Sequence, residues 1–148
     1  MQNRFVVVTV AALCAVGGIA GCSSAPTTSP QPPGSLPPAT AEVTVNGQSA
    51  GTTRAVQCTQ DGWMHTITTG DDKSGAKVVV NTGDKINATS VQIRNIGDFT
   101  GSVLENNIGK AQASMIGNTF RVTGTAQGST AQNPNQVTTA DFEVKANC

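Results

Sequence analysis

Tyrosine is absent from these 148 residues, tryptophan and histidine occur once each, and aromatic residues make up 3% of the chain. An interior must then be filled with Val, Ile, Ala and Gly, which bury less apolar area per residue, so stability should lean on something besides core volume. Charge of one sign is also missing, since nine Lys and Arg stand against nine Asp and Glu. That balance excludes the basic face of a nucleic-acid-binding protein and the polybasic segment that holds a protein to anionic lipid. No ten-residue stretch keeps a 3.6-residue apolar period, which excludes long amphipathic helices. Neither a G-x-S-x-G nucleophile elbow nor a phosphate-binding G-x-x-x-x-G-K-[ST] loop is present.

The remaining candidates for chemistry are isolated. His65, between Trp63 and Ile67, has no nucleophile or ligand partner at useful spacing, and reads as a half-buried strand residue. Met64 and Met115 would complete a soft-metal set with it only if the fold gathered all three. Asp71 and Asp72 lie between Gly70 and Gly75, without the residue order of a calcium loop, and read as a solvated turn. Asn87-Ala88-Thr89 matches the N-glycosylation pattern by chance. The chain is therefore expected to be non-catalytic, with no metal and no bound cofactor.

What is present begins with Arg4 and the apolar run Phe5 to Val16, a secretory signal core too short to span and stay, which takes about 20 apolar residues. It ends in Ile19-Ala20-Gly21-Cys22. A branched apolar residue, two small residues and a cysteine form the site a lipoprotein signal peptidase cuts, between Gly21 and Cys22. The thiol of Cys22 then carries a diacylglycerol, and its amine a further acyl chain. At about 0.8 kcal/mol per buried CH₂, two or three chains anchor stably where one does not. The protein is expected to be exported and held by lipid alone on the outer face of the cell membrane, as a monomer.

Three segments follow: residues 1–21 as the lipoprotein signal, 22–40 as a lipidated cysteine with a spacer, and 41–148 as a globular domain. Ser23 to Thr40 holds six of the seven prolines and no charge, the composition of an extended tether. At about 3.1 Å per residue it would lift the domain on the order of 50 Å from the bilayer. From Ala41 the pattern has period two. Glu42 to Val45 meets Asn46-Gly47, a tight-turn dipeptide. Further strands are read over Thr53–Thr59, Trp63–Thr69, Ala76–Asn81, Thr89–Asn95 and Phe99–Leu104. Lys110–Ile116 and Thr119–Gln127 form a hairpin about Gly117-Asn118, and Val137–Cys148 closes the set. Nine short strands predict an all-β antiparallel sandwich or open barrel.

Cys14 leaves with the signal and Cys22 is acylated, so Cys58 and Cys148 remain as the pair available in an oxidising compartment. A disulfide between them is expected, the alternative being two buried free thiols. Parity places Cys58 with Val56, and Cys148 with Phe142 and Val144, so both sulfurs are expected to face the core.

The lipobox, the spacer, Val45-Asn46-Gly47, Val56-Gln57-Cys58-Thr59, Phe120 to Gly128, Asn133-Pro134, and Phe142-Glu143-Val144 with Cys148 together resemble the mycobacterial nineteen-kilodalton lipoprotein antigen family (LpqH-like lipoproteins). The resemblance covers the whole mature chain. It implies a cell-envelope lipoprotein antigen whose acylated N-terminus is sensed by the host Toll-like receptor 2. The rival expectation is a binding module that carries a lipid or other apolar ligand within the β domain.

Overall fold

The computed structural model describes residues 30–148. Ten strands follow in order: β1 Thr40–Val45, β2 Gln48–Thr53, β3 Val56–Asp61, β4 Met64–Gly70, β5 Gly75–Asn81, β6 Asn87–Ile96, β7 Phe99–Leu104, β8 Lys110–Ile116, β9 Thr119–Thr130 and β10 Asn133–Asn147. All pairings are antiparallel, in one sheet of order β2-β1-β10-β9-β7-β6-β5-β4-β3, with β8 beside β9. Of the two all-β architectures, the protein adopts the open barrel.

Local chemistry accounts for the turns. Asn46 and Gly47 have φ of 49° and 77°, the left-handed pair that a two-residue hairpin requires to match strand twist. The Asn46 side chain then accepts a hydrogen bond from Asp141 N at 3.0 Å, while Asn46 N donates to Asp141 O at 2.8 Å. The β1–β2 turn is thereby pinned to β10. In the β8–β9 hairpin Met115 faces Phe120 and Ala113 faces Val122, the partners that the alternation in sequence implies.

The barrel differs from the nine-strand reading in one place. β2 is the tenth strand, absent from that reading apart from Thr53, and the segment read as Thr53–Thr59 is broken at Arg54-Ala55 and continues as β3 from Val56. Both belong to sheet edges, where few side chains are buried, so little apolar alternation is there to mark a boundary.

One strand organises the rest. The first half of β9 pairs with β8 and its last residues pair with β7, while β10 runs along its other side. β7 and β8 thus follow one another along β9 in the same direction, interrupted by the excursion Glu105–Gly109. The core is the inner face of this sheet, where Ile67, Val78, Val80, Val91, Ile93, Phe99, Val103, Val122 and Val144 are almost completely buried. Among the described residues, three Phe are its only aromatic side chains.

Candidate functional site

Structure begins before the domain boundary expected at Ala41. The Pro30–Ala39 segment folds back on the barrel, with Ser35 N donating to Pro32 O at 3.1 Å and Gly34 at a φ of 87°. This brings Leu36 down onto the barrel end, where it is 8% exposed. Its N–H donates to Thr119 Oγ1 at 2.9 Å, and its carbonyl accepts from Asn147 Nδ2 at 2.6 Å and Gln31 Nε2 at 2.9 Å. Thr119 and Asn147 are themselves buried and face one another across β9 and β10. Each finds in the Leu36 backbone the partner that a buried polar group needs. The segment read as the second half of an extended tether is a strap, because one apolar side chain and two buried polar groups outweigh its proline-rich composition.

Leu36→Ala is expected to lower stability by about 2–3 kcal/mol, toward the low end for a buried leucine. Chemical denaturation checks this, and hydrogen exchange should show loss of protection at the Leu36 amide ahead of the barrel strands.

The strap fixes where the chain reaches the domain. Pro30, Pro32 and Pro38 lie against Gly117, Asn118, Asn147 and Cys148. A Cβ added at Gly117 would sit 3.5 Å from Pro32 Cγ. The β8–β9 turn, the start of β1 and the finish of β10 therefore share one end of the barrel with the strap.

At the same end lies the seam between the first and last parts of the sheet. Cys58 of β3 and Cys148 are bonded, with Cα atoms 5.9 Å apart. Both residues are exposed, so the expectation of core-facing sulfurs is corrected. β3 is the outermost strand, with only β4 beside it, and its Cys58 meets Cys148 at the rim of the seam rather than inside the barrel. Beside the bridge is a shallow groove of about 280 Å³. It brings His65 and Met115 together with Phe120, Gln60 and Asn118. The His65 ring is half-buried, its centroid 5.1 Å from that of Phe120. Met64 alternates to the other face of β4, so the soft-metal trio is not gathered. Among the described residues no three His, Cys, Asp or Glu side chains come together.

A larger cleft, about 550 Å³, opens where the Glu105–Gly109 excursion parts β8 from β6. Its floor is Ala88, Val103 and Ala111, and its walls are amides and charges from Asn87, Glu105, Asn106 and Gln112. Asn87 Nδ2 donates to Glu105 Oε1 at 2.8 Å, so the side chain of the glycosylation-like motif is engaged within the fold.

The other sequence candidates fall apart from these grooves. Asp71 Oδ1 accepts from Lys73 N and Ser74 N, each at 2.8 Å. Hydrogen bonds from Ser74 and Lys73, with the nearby Arg94 charge, hold its carboxyl below the usual carboxylate range, as expected of an anion solvated by backbone amides. On the outer face of β9 and β10, burial pushes the Glu143 carboxyl up, but the Arg121 hydrogen bond at 2.8 Å and Lys145 at 3.4 Å outweigh it and leave the group below its ordinary value. These are turn and surface roles. Gly21 and Cys22 lie outside the described residues.

The strap and the two grooves were missed from sequence. A signal for the strap did exist, because Leu36 is the one large apolar residue between Ser23 and Thr40.

Comparison with known proteins places this geometry. Residues 34–148 match the family model of the Mycobacterium 19 kDa lipoprotein antigen, so the match begins within the strap. The chain is 36% identical over 149 residues to a lipoprotein of Mycobacterium avium subsp. hominissuis, covering all of this chain and 97% of that one. It is 34% identical to lipoprotein LppE of Mycobacterium tuberculosis, with both chains covered in full. Lipoprotein LpqH of Mycobacterium avium is 30% identical over 108 residues, 72% of this chain and 67% of its own.

Proposed function

The chain belongs to the Mycobacterium 19 kDa lipoprotein antigen family, and from that premise we propose that it is a non-catalytic envelope antigen anchored by acyl chains on Cys22. The domain is displayed on the outer face of the membrane, and the acylated N-terminus is the part read by the host Toll-like receptor 2. The observation that carries this reading is the lipobox Ile19-Ala20-Gly21-Cys22 ahead of a strap that commits the chain to one end of a well-filled barrel. A lipid-bearing N-terminus then leaves from a fixed point, while the turns of the opposite end face away from the anchor.

The rival, carriage of an apolar ligand inside the domain, finds little room. The inner face of the sheet is packed with fully buried Val, Ile and Phe, and the larger cleft is walled by amides and charges, which suit an acyl chain poorly.

Cys22→Ala tests the proposal. The variant is expected in the soluble fraction rather than with membranes, and purified variant should not activate receptor-expressing cells. Signalling retained by the acyl-free protein would overturn the assignment of activity to the lipid.

A further inference from the structure

Large apolar side chains are exposed at the strap end of the barrel, where the chain leads back toward Cys22. Trp63, the only tryptophan of the chain, is 69% exposed in the β3–β4 turn, Ile86 is 40% exposed in the β5–β6 turn, and Met115 is 39% exposed beside the seam. The two turns that carry Trp63 and Ile86 are adjacent. Thr82 N donates to Trp63 O at 2.8 Å, and a Cβ at Gly83 would lie 3.7 Å from Trp63 Cγ. Their position relative to the strap follows from topology. His65, two residues along β4 from Trp63, contacts Phe120, which directly follows Thr119, the residue that binds Leu36. Gln60 and Asn118 line one groove with them. The Gly62-Trp63 turn and the Gly117-Asn118 turn therefore project from the same end.

We propose that this end, led by Trp63 and Ile86, rests in the interfacial region of the bilayer that holds Cys22. The inference rests on the acylation of Cys22 given above. Residues 23–29 separate Cys22 from Pro30, eight Cα–Cα steps that reach at most about 29 Å when extended. The strap thus removes more than half of the tether that composition suggests, and it holds the apolar turns on the anchored side. A short tether turns a second contact with the same membrane into an intramolecular event, at an effective concentration in the millimolar range. A few side chains then suffice, although they would bind too weakly alone. Tryptophan suits the role, with an apolar ring and an N–H that stays among headgroups and water. Charge offers no attraction to anionic lipid, because Asp61, Asp84 and Lys85 of these turns sum to one negative charge, so docking should occur on neutral lipid and resist salt.

The single tryptophan is a built-in reporter. Acylated full-length mature protein is bound to phosphatidylcholine vesicles, with and without brominated acyl chains, and recovered by flotation. Trp63 emission should shift to the blue relative to the Cys22→Ala protein, and brominated lipid should remove the larger part of its intensity. A Trp63→Leu, Val137→Trp variant moves the reporter to an exposed site on the opposite side of the fold, where emission should stay water-like and unquenched. Flotation with Trp63 still water-exposed, or equal quenching at both positions, would overturn the docking face while leaving the anchor intact. Failure to float would overturn the anchor and the docking face together.

Discussion

Replacing Cys58 with Ser lowers the melting temperature of the oxidised domain by on the order of 10–20 °C. The Cys58–Cys148 bridge spans a sequence separation of 90 residues, and cross-linking a loop of that length removes roughly 4–5 kcal/mol of chain entropy from the unfolded state. For a domain of this size each kcal/mol moves the melt by about 2–5 °C. The native state loses as well, since β3 pairs only with β4 and carries mostly exposed side chains. Without the bridge nothing covalent holds the outermost strand against the finish of β10. Cys148→Ser should match Cys58→Ser, and the double variant should add little to either, because all three remove one cross-link. Reductant should lower the wild-type melt and leave the double variant unmoved. An unchanged melt in these variants would show that loop closure does not limit stability here.

The legible part of this structure is the part governed by neighbours in sequence. Alternation along Ala111, Ala113 and Met115 identified their partners in Phe120 and Val122, because a two-residue turn fixes register. Asn46-Gly47 announced its hairpin for the same reason. Elimination paired Cys58 with Cys148, yet their exposure could not be read. Parity distinguishes two faces of a strand, whereas the edge position of β3 is decided by the order of strands far away in the chain. Leu36 shows the same limit more sharply, since its partners Thr119 and Asn147 are 83 and 111 residues distant. Composition described Pro30–Ala39 correctly as proline-rich and charge-free, and still misassigned it as extended, because long-range hydrogen bonds leave no local pattern. The apolar turns of the strap end were invisible as a group for that reason. The turns that carry Trp63 and Ile86 come together only when β4 and β5 pair.

Among alanine substitutions at the strand glycines, Gly128→Ala is expected to cost about 3 kcal/mol or more, at the upper range for overpacking. Gly128 lies within β9 and has no positive φ, so left-handed freedom is not why glycine stands there. It faces Gly101 across the β7–β9 pair. A Cβ at Gly128 would collide with the Thr100 carbonyl oxygen and sit 2.8 Å from its carbon, while one at Gly101 would lie 2.6 Å from Gln127 O. These obstacles are backbone, which cannot swing aside as a side chain can. The same holds at Gly124, whose added Cβ would meet the Lys110 carbonyl and lie 2.9 Å from Ala111 Cα. The two glycines flank Ala126, which is fully buried, at the place where β9 hands its pairing from β8 to β7. Close backbone approach there lets one strand serve two partners in succession and curve the sheet toward closure. Gly124→Ala and Gly128→Ala should therefore lower the denaturation midpoint strongly, and the β7–β9 amides should lose exchange protection in Gly128→Ala before the β1–β10 amides do. A stability within experimental error of wild type would mean that β7 and β9 can separate by about an ångström without loss, and that the curvature of β9 has another cause.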